Sequence, residues 1–200
     1  PPPPYTMEEL ADDVAGLLDV LNIDKAHLAG SSLGGMIAQQ VGARHGKRLL
    51  SLTLANTAAV QATPAAWEER AAAVRQAGSV AALAEPTLQR WFTAGFVERS
   101  PTEIARMRTI LLETSADGYV GCATAIRNLS QLQLLPKIGV PTLVIAGAED
   151  KATPPEQARQ IADAIPGARL VTLPAAHQAA VEQPQAFCDA WLSFIGGQGS

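Results

Sequence analysis

Cysteine and aromatic residues are scarce in this 200-residue chain, which has two Cys and only 4% Phe, Trp and Tyr. Cys122 and Cys188 lie too far apart in sequence to suggest a disulfide framework, and in an apolar chain they read as reduced core residues. There is no C-x-x-C or H-x-x-x-H spacing to hold a metal, and the glycines fit neither G-x-G-x-x-G nor a Walker loop, so no cofactor is expected. Charge is sparse as well. Charged residues make up 17% of the chain, the net charge is -4, and no run of Lys or Arg is dense, which excludes nucleic acid and anionic membranes as partners. The expected ligand is a small molecule. Apolar stretches such as Val140 to Gly147 stop well short of the roughly 20 residues a membrane span needs. Pro1 to Tyr5 has neither the basic nor the apolar region of a secretory signal, and the expected compartment is the cytoplasm.

What is present is a chain of 48% apolar residues, enough to bury one good-sized core. Thr6 and Glu9 have capping-box spacing, and Leu10, Val14, Leu17, Leu18 and Leu21 recur at helical intervals, predicting a helix over 7–21. Strands are predicted at 26–29, 49–55, 142–146 and 169–173, with helices at 36–45, 155–165 and 184–195. Such alternation implies an α/β fold with a mostly parallel sheet and flanking helices. Residues 59–135 break it with Ala-, Leu- and Arg-rich helical segments. The expected organisation is therefore a core of 1–58 and 136–200 with a helical cap, 59–135, inserted between strands. Thr153-Pro154-Pro155-Glu156 reads as the start of a helix, with Thr153 as N-cap. Gly196 to Ser200 reads as a flexible tail.

A hydroxyl attacks a carbonyl efficiently only when a base takes its proton and oriented donors meet the developing oxyanion. Gly30-Ser31-Ser32-Leu33-Gly34 fits G-x-S-x-G, a sharp strand-to-helix turn that lifts its serine above a sheet, with glycines where the backbones crowd. Ser32 is the expected nucleophile, and the backbone N–H of Leu33 one oxyanion donor. Asp150 follows the strand at 142–146 and His177 the strand at 169–173, so acid and base lie at carboxyl ends of strands, in the chain order Ser, acid, His. Ser31 and Glu149 are the competing nucleophile and acid. His27 falls inside a strand and His45 at a helix end, which leaves His177 as the base.

With these residues in place the chain resembles the α/β-hydrolase superfamily, and within it the 3-oxoadipate enol-lactone hydrolases most closely. The likeness rests on Tyr5 to Asp13, Ser32-Leu33-Gly34-Gly35-Met36, Pro141 to Gly147 with Asp150, and Ala152 to Glu156. In the cap it rests on Arg90-Trp91-Phe92-Thr93. The resemblance implies a cofactor-free Ser32-Asp150-His177 triad that opens a small carboxylated lactone through an acyl-enzyme. Other readings on the same fold are a carboxylesterase, a perhydrolase, a carbon–carbon bond hydrolase and a non-catalytic remnant of a hydrolase.

A carboxylated substrate calls for a cation in the cap, whose arginines are Arg70, Arg75, Arg90, Arg99, Arg106, Arg108 and Arg127. Arg127 is the chosen candidate, and Trp67 and Trp91 are expected to line the pocket. Relative to the family pattern, Ser31 precedes the nucleophile and Gln178-Ala179-Ala180 follows the histidine, where members usually carry a non-serine residue and Leu-Ser-Asn. The family's strands before the helix at 7–21, including the loop that supplies a second oxyanion donor, have no counterpart here. The expectation is a partial α/β-hydrolase fold with an exposed sheet edge open to association, and low activity without the missing part.

Overall fold

The computed structural model describes residues 2–197, so Pro1 and the tail residues 198–200 lie outside the described residues. The first element, α1 (Met7–Val20), starts on the predicted capping box: Thr6 Oγ1 accepts from the Glu9 amide, and the Glu9 carboxylate accepts from the Thr6 amide. It is followed by β1 (Ala26–Ser31), α2 (Leu33–Arg44) and β2 (Leu49–Ala55). Five helices come next: α3 (Pro64–Ala77), α4 (Ala81–Trp91), α5 (Ala94–Arg99), α6 (Pro101–Leu112) and α7 (Ala116–Arg127). The chain then returns through β3 (Thr142–Gly147), α8 (Pro155–Ala164), β4 (Arg169–Leu173), the single-turn α9 (Ala179–Glu182) and α10 (Pro184–Gly196). Gly196 therefore closes a helix and does not begin the tail.

The four strands form one parallel sheet in the order β1-β2-β3-β4. Parallel strands are joined by helical crossovers that cover both faces, and β3 is accordingly buried along its whole length. Val144 and Ala146 point into one core with Leu52 and Leu54 of β2, Val41 of α2 and Ile161 of α8. Leu143 and Ile145 point the other way, onto Leu173 of β4 and Phe194 of α10. Residues on alternate sides of one strand thus hold helices to both faces, each full burial contributing about 1.5–3 kcal/mol. β1 is an outer strand, and His27, Ala29 and Ser31 on it are exposed. His27 is tied to Ser51 of β2 by a 2.7 Å hydrogen bond, and His45 to Asp12 at 2.8 Å.

The helices between β2 and β3 leave and rejoin the sheet at one place. The amides of Gln61 and Gln131 donate to the carbonyls of Leu129 and Ala59, so the two ends of the excursion pair with each other. Beneath them, the Gln131 side chain donates to the Met36 carbonyl and the Gln39 side chain to the Ala58 carbonyl, both fully buried. α3 and α7 pack together through Ala71, Val74, Val120 and Ala123, small enough to let the helices approach closely. Among the described residues, no helix is long and apolar enough to cross a membrane.

Candidate active site

Ser32 sits between the last residue of β1 and the first of α2, with φ 54° and ψ -119°. A non-glycine residue held there stores about 1–3 kcal/mol of backbone strain. Its surroundings hold it: the Ser32 amide donates to the Ala55 carbonyl, and its own carbonyl accepts from the Met36 amide and from Thr57 Oγ1 at 2.7 Å. A Cβ on Gly30 would overlap the Gly34 carbonyl, which explains the first glycine of the motif. Gly34 itself faces open space. The crowded partner is Gly35, where a Cβ would come within 2.6 Å of the Thr57 side chain, so the steric need falls one residue later than the G-x-S-x-G pattern implies. Leu33, as the first residue of α2, has an amide with no intrahelical acceptor, beside Ser32 and at the positive end of the helix dipole.

His177 and Asp150 converge on this serine. His177 Nε2 lies 2.8 Å from Ser32 Oγ, and His177 Nδ1 lies 2.8 Å from Asp150 Oδ2. An ionised carboxylate can only accept, so the proton is on Nδ1, which leaves Nε2 free to accept from the serine hydroxyl. Both side chains are buried, and this histidine is one of the largest fully buried side chains. Glu149 is exposed beside the site, and Ser31, at the end of β1, is exposed as well. The geometry separates Asp150 and Ser32 from both competitors.

Asp150 is solvated by protein. Oδ1 accepts from the amides of Ala152 and Thr153, each at 2.8 Å, and Oδ2 accepts from Thr153 Oγ1 at 2.8 Å and Asn56 Nδ2 at 3.1 Å. Burial alone raises a carboxyl pKa, but here the hydrogen bond and charge of His177, with the Thr153 amide and the Asn56 side chain, outweigh it and hold Asp150 below its ordinary value. Thr153 is therefore not a helix cap. Pro154 occupies the N-cap position of α8, and the Thr153 hydroxyl goes to the stronger, charged acceptor. Asn56, in the left-handed region at φ 44°, also reaches the Ala176 carbonyl and so spans the acid and the histidine loop. It is the polar residue directly after β2, and the strand-end rule that points to Asp150 and His177 points to it equally.

The triad opens into a cavity of about 730 Å³ whose far wall is built by α3, α4 and α7. Leu33, Trp67 and Trp91 are in its lining, and the Trp91 ring is tilted against His177 with centroids 6.0 Å apart. Arg127 does not line it. Its guanidinium is bound instead to Glu68 of α3 and to Asn128 Oδ1, outside the cavity lining. The cavity arginines are Arg70 and Arg90. Cys122 also lines the wall, where burial raises its thiol pKa, and Cys188 is exposed, so neither is a core residue. Among the described residues no three His, Cys, Asp or Glu side chains cluster as a metal site.

One further contact ties the histidine loop to the helices above it. Glu182, 6% exposed on α9, accepts from the amides of Ala176 and Thr93 and from Thr93 Oγ1 at 2.6 Å. The Gln178 amide donates to the Trp91 carbonyl. Residues 91–93 and 176–178 are thus clamped on either side of His177.

A strained serine at a strand-to-helix turn, followed in chain order by an acid and a histidine at later strand ends, is the arrangement of the α/β hydrolases. Residues 1–184 match the α/β hydrolase fold family, and the chain belongs to it. Among curated relatives, 3-oxoadipate enol-lactonase 2 of Acinetobacter baylyi is 38% identical over 184 residues, covering 92% of this chain and 68% of that protein. Among solved structures, an enol-lactonase from Burkholderia xenovorans superposes with a TM-score of 0.95 at 40% identity, covering 98% of this chain and 75% of that one. A hydrolase from Pseudomonas aeruginosa superposes at 0.94 with 44% identity, covering 98% and 74%.

Proposed function

We propose that this chain is a serine hydrolase that opens a small carboxylated lactone, 3-oxoadipate enol-lactone, through an acyl-enzyme on Ser32. The observation that carries the reading is the continuous relay from Ser32 Oγ through His177 to Asp150 at the floor of the cavity. The similarity to enol-lactonases supports the substrate.

In this reading Ser32 Oγ attacks the lactone carbonyl while His177 Nε2 takes its proton, and Asp150 stabilises the imidazolium and fixes its tautomer. The Leu33 amide donates to the tetrahedral oxyanion. The carbonyl–oxygen bond breaks, the enolate oxygen leaves and takes a proton from His177, and the acyl group stays on Ser32. Water enters, gives a proton to His177 and attacks the acyl carbon, releasing the carboxylic acid and returning the hydroxyl proton to Ser32. The helices between β2 and β3 act as a cap that holds the lactone over the serine, with Trp67 and Trp91 as its aromatic walls.

A fluorophosphonate probe and a substrate panel test the reading together. Ser32 is expected to be labelled, and the enol-lactone to be opened faster than p-nitrophenyl esters and faster than peracid is formed. Rapid ester turnover without lactone opening would remove the lactone, and a folded protein whose Ser32 stays unlabelled would remove the serine mechanism.

A further inference from the structure

Among the described residues, three that are not glycine have a positive φ: Asn22 at 55°, Ser32 at 54° and Asn56 at 44°. Asn22 lies in the exposed turn after α1, where asparagine is at home. The other two lie side by side at the sheet edge. Ser31 and Ala55 are paired in register as the last residues of β1 and β2, and Ser32 and Asn56 follow them. Unfavourable backbone conformations persist only where the surroundings impose them, and they gather at functional sites. Ser32 is accounted for by its hydroxyl. Asn56, 2% exposed, neither turns at the surface nor lines the cavity.

Ala55, Asn56 and Thr57 between them hold every member of the triad. The Ala55 carbonyl accepts from the Ser32 amide at 3.0 Å, and Thr57 Oγ1 donates to the Ser32 carbonyl at 2.7 Å, so both backbone polar groups of the nucleophile are held from this segment. The Asn56 amide donates to the Ile145 carbonyl at 2.8 Å, which stitches the segment to β3, the strand that leads to Asp150. The Asn56 side chain divides its two N–H donors. One goes to Asp150 Oδ2 at 3.1 Å, the oxygen that also accepts from His177 Nδ1. The other goes to the carbonyl of Ala176, the residue before His177, at 3.2 Å. Both neighbours are acceptors, which fixes the side-chain amide with its nitrogen toward them. One amide thus spans both ends of the His177–Asp150 hydrogen bond.

We propose that Asn56 is a positioning residue of the triad, setting the separation of acid and histidine loop that keeps the His177 Nδ1 proton on Asp150, with Thr57 holding the nucleophile from the same segment. The inference rests on the serine-hydrolase reading and adds what sets the register of its three groups. The pair alone does not secure that register. Thr153 Oγ1 lies 3.3 Å from His177 Nδ1 and offers its proton a second, neutral acceptor. With Asn56 in place, the carboxylate oxygen is the nearer acceptor at 2.8 Å, and Nε2 is aimed at Ser32 Oγ, also at 2.8 Å. Without it, Asp150 keeps Thr153 and the Ala152 amide, but the histidine loop loses its tie to the acid through the Ala176 carbonyl. Small misplacements of a reacting group are enough to slow the chemical step.

Asn56→Gly tests the role most cleanly, because glycine suits the positive φ and only the side chain is lost. In the full chain its kcat for enol-lactone and its rate of fluorophosphonate labelling are expected to fall about 10- to 100-fold, with KM changed by no more than about 2-fold. Asn56→Asp should fall at least as far, since it sets a second carboxylate against Asp150 Oδ2 and the Ala176 carbonyl. Thr57→Val, which keeps the shape and loses the hydroxyl, should cost less than either. In proton NMR the His177 Nδ1 proton is expected far downfield in the wild type and displaced or lost in Asn56→Gly. Wild-type labelling and an unmoved resonance in a folded Asn56→Gly would overturn the proposal, as would a raised KM with kcat unchanged. Should neither Asn56 variant fold, exchange of the Asn56 Nδ2 protons in the wild type decides: slow exchange supports the role, and rapid exchange with water removes it. The resonance reports the His177–Asp150 pair whether or not Ser32 reacts. Unlabelled wild-type protein would therefore refute the serine mechanism, while the resonance still decides the role of Asn56.

Discussion

The sheet edge and the helical wall meet in one cavity, yet they treat polar groups in opposite ways. At the edge the buried pair is already answered: Asp150 accepts five hydrogen bonds from protein groups, and His177 is fixed at both nitrogens. On the wall, Arg70 and Arg90 have no acid partner among the described residues. The edge is preorganised, so its dipoles need not reorient as charge develops in the reaction. The two parts are thus built differently, and substitutions should separate them.

The largest effects are expected at the edge. Ser32→Ala or His177→Ala should abolish fluorophosphonate labelling and lower hydrolysis by about 10⁶-fold, since either removes the unit as a whole. Asp150→Asn should lower it by about 10⁴-fold through loss of the correct imidazole tautomer. It should also change the acid limb of stability. Because the folded-state pKa of Asp150 is below its ordinary value, the carboxylate contributes stability that is fully present above the ordinary carboxylate range and is lost as pH falls through the lower folded value. Melting temperature measured from pH 6 down to 2 should therefore fall less steeply in Asp150→Asn than in the wild type. An unchanged slope would mean that the network around Asp150 does not favour its charged form.

The sheet, and the placement of Ser32, Asp150 and His177 at one edge of it, were legible because each depends on short-range pattern. Apolar runs mark strands, G-x-S-x-G marks the turn, and chain order assigns acid and base. The wall was not, because which side chains of α3, α4 and α7 line the cavity is decided by how the helices pack, and that packing turns Arg127 to Glu68 and leaves Arg70 and Arg90 in the lining. Thr153 was misread for a different reason. Thr-Pro-Pro-Glu is a genuine helix-start pattern, but a buried carboxylate three residues earlier competes for the same hydroxyl and wins. Glu182 lies on a helix of one turn, too short for periodicity to show, and its partners are 6 and 89 residues away.

Glu182 joins the two regions, and its removal should affect both by a moderate amount. Glu182→Ala leaves the buried amide of Ala176 and the hydroxyl of Thr93 without their acceptor, a loss of about 1–3 kcal/mol for an unsatisfied buried group. Hydrolysis should fall about 10-fold as His177 loses its orientation, with kcat reduced more than KM is raised. Glu182→Gln, which keeps an acceptor oxygen, should recover most of the activity. If the two variants behave alike, the clamp does not act through the geometry of the histidine loop.

The smallest effect is expected inside the nucleophile motif itself. Gly30 cannot carry a side chain, because the Gly34 carbonyl occupies that space, whereas nothing lies within 4 Å of a Cβ built on Gly34. Gly34 is the second residue of α2 and has an ordinary negative φ, so alanine there meets no clash and gains helix propensity of at most about 1 kcal/mol. Gly34→Ala should leave the melting temperature equal or slightly raised and Ser32 still reactive to the fluorophosphonate, although the motif as written requires glycine. A clear loss of either would show that the turn needs backbone freedom at Gly34 that the static contacts do not reveal, and would extend the rigidity of the edge one residue further into α2.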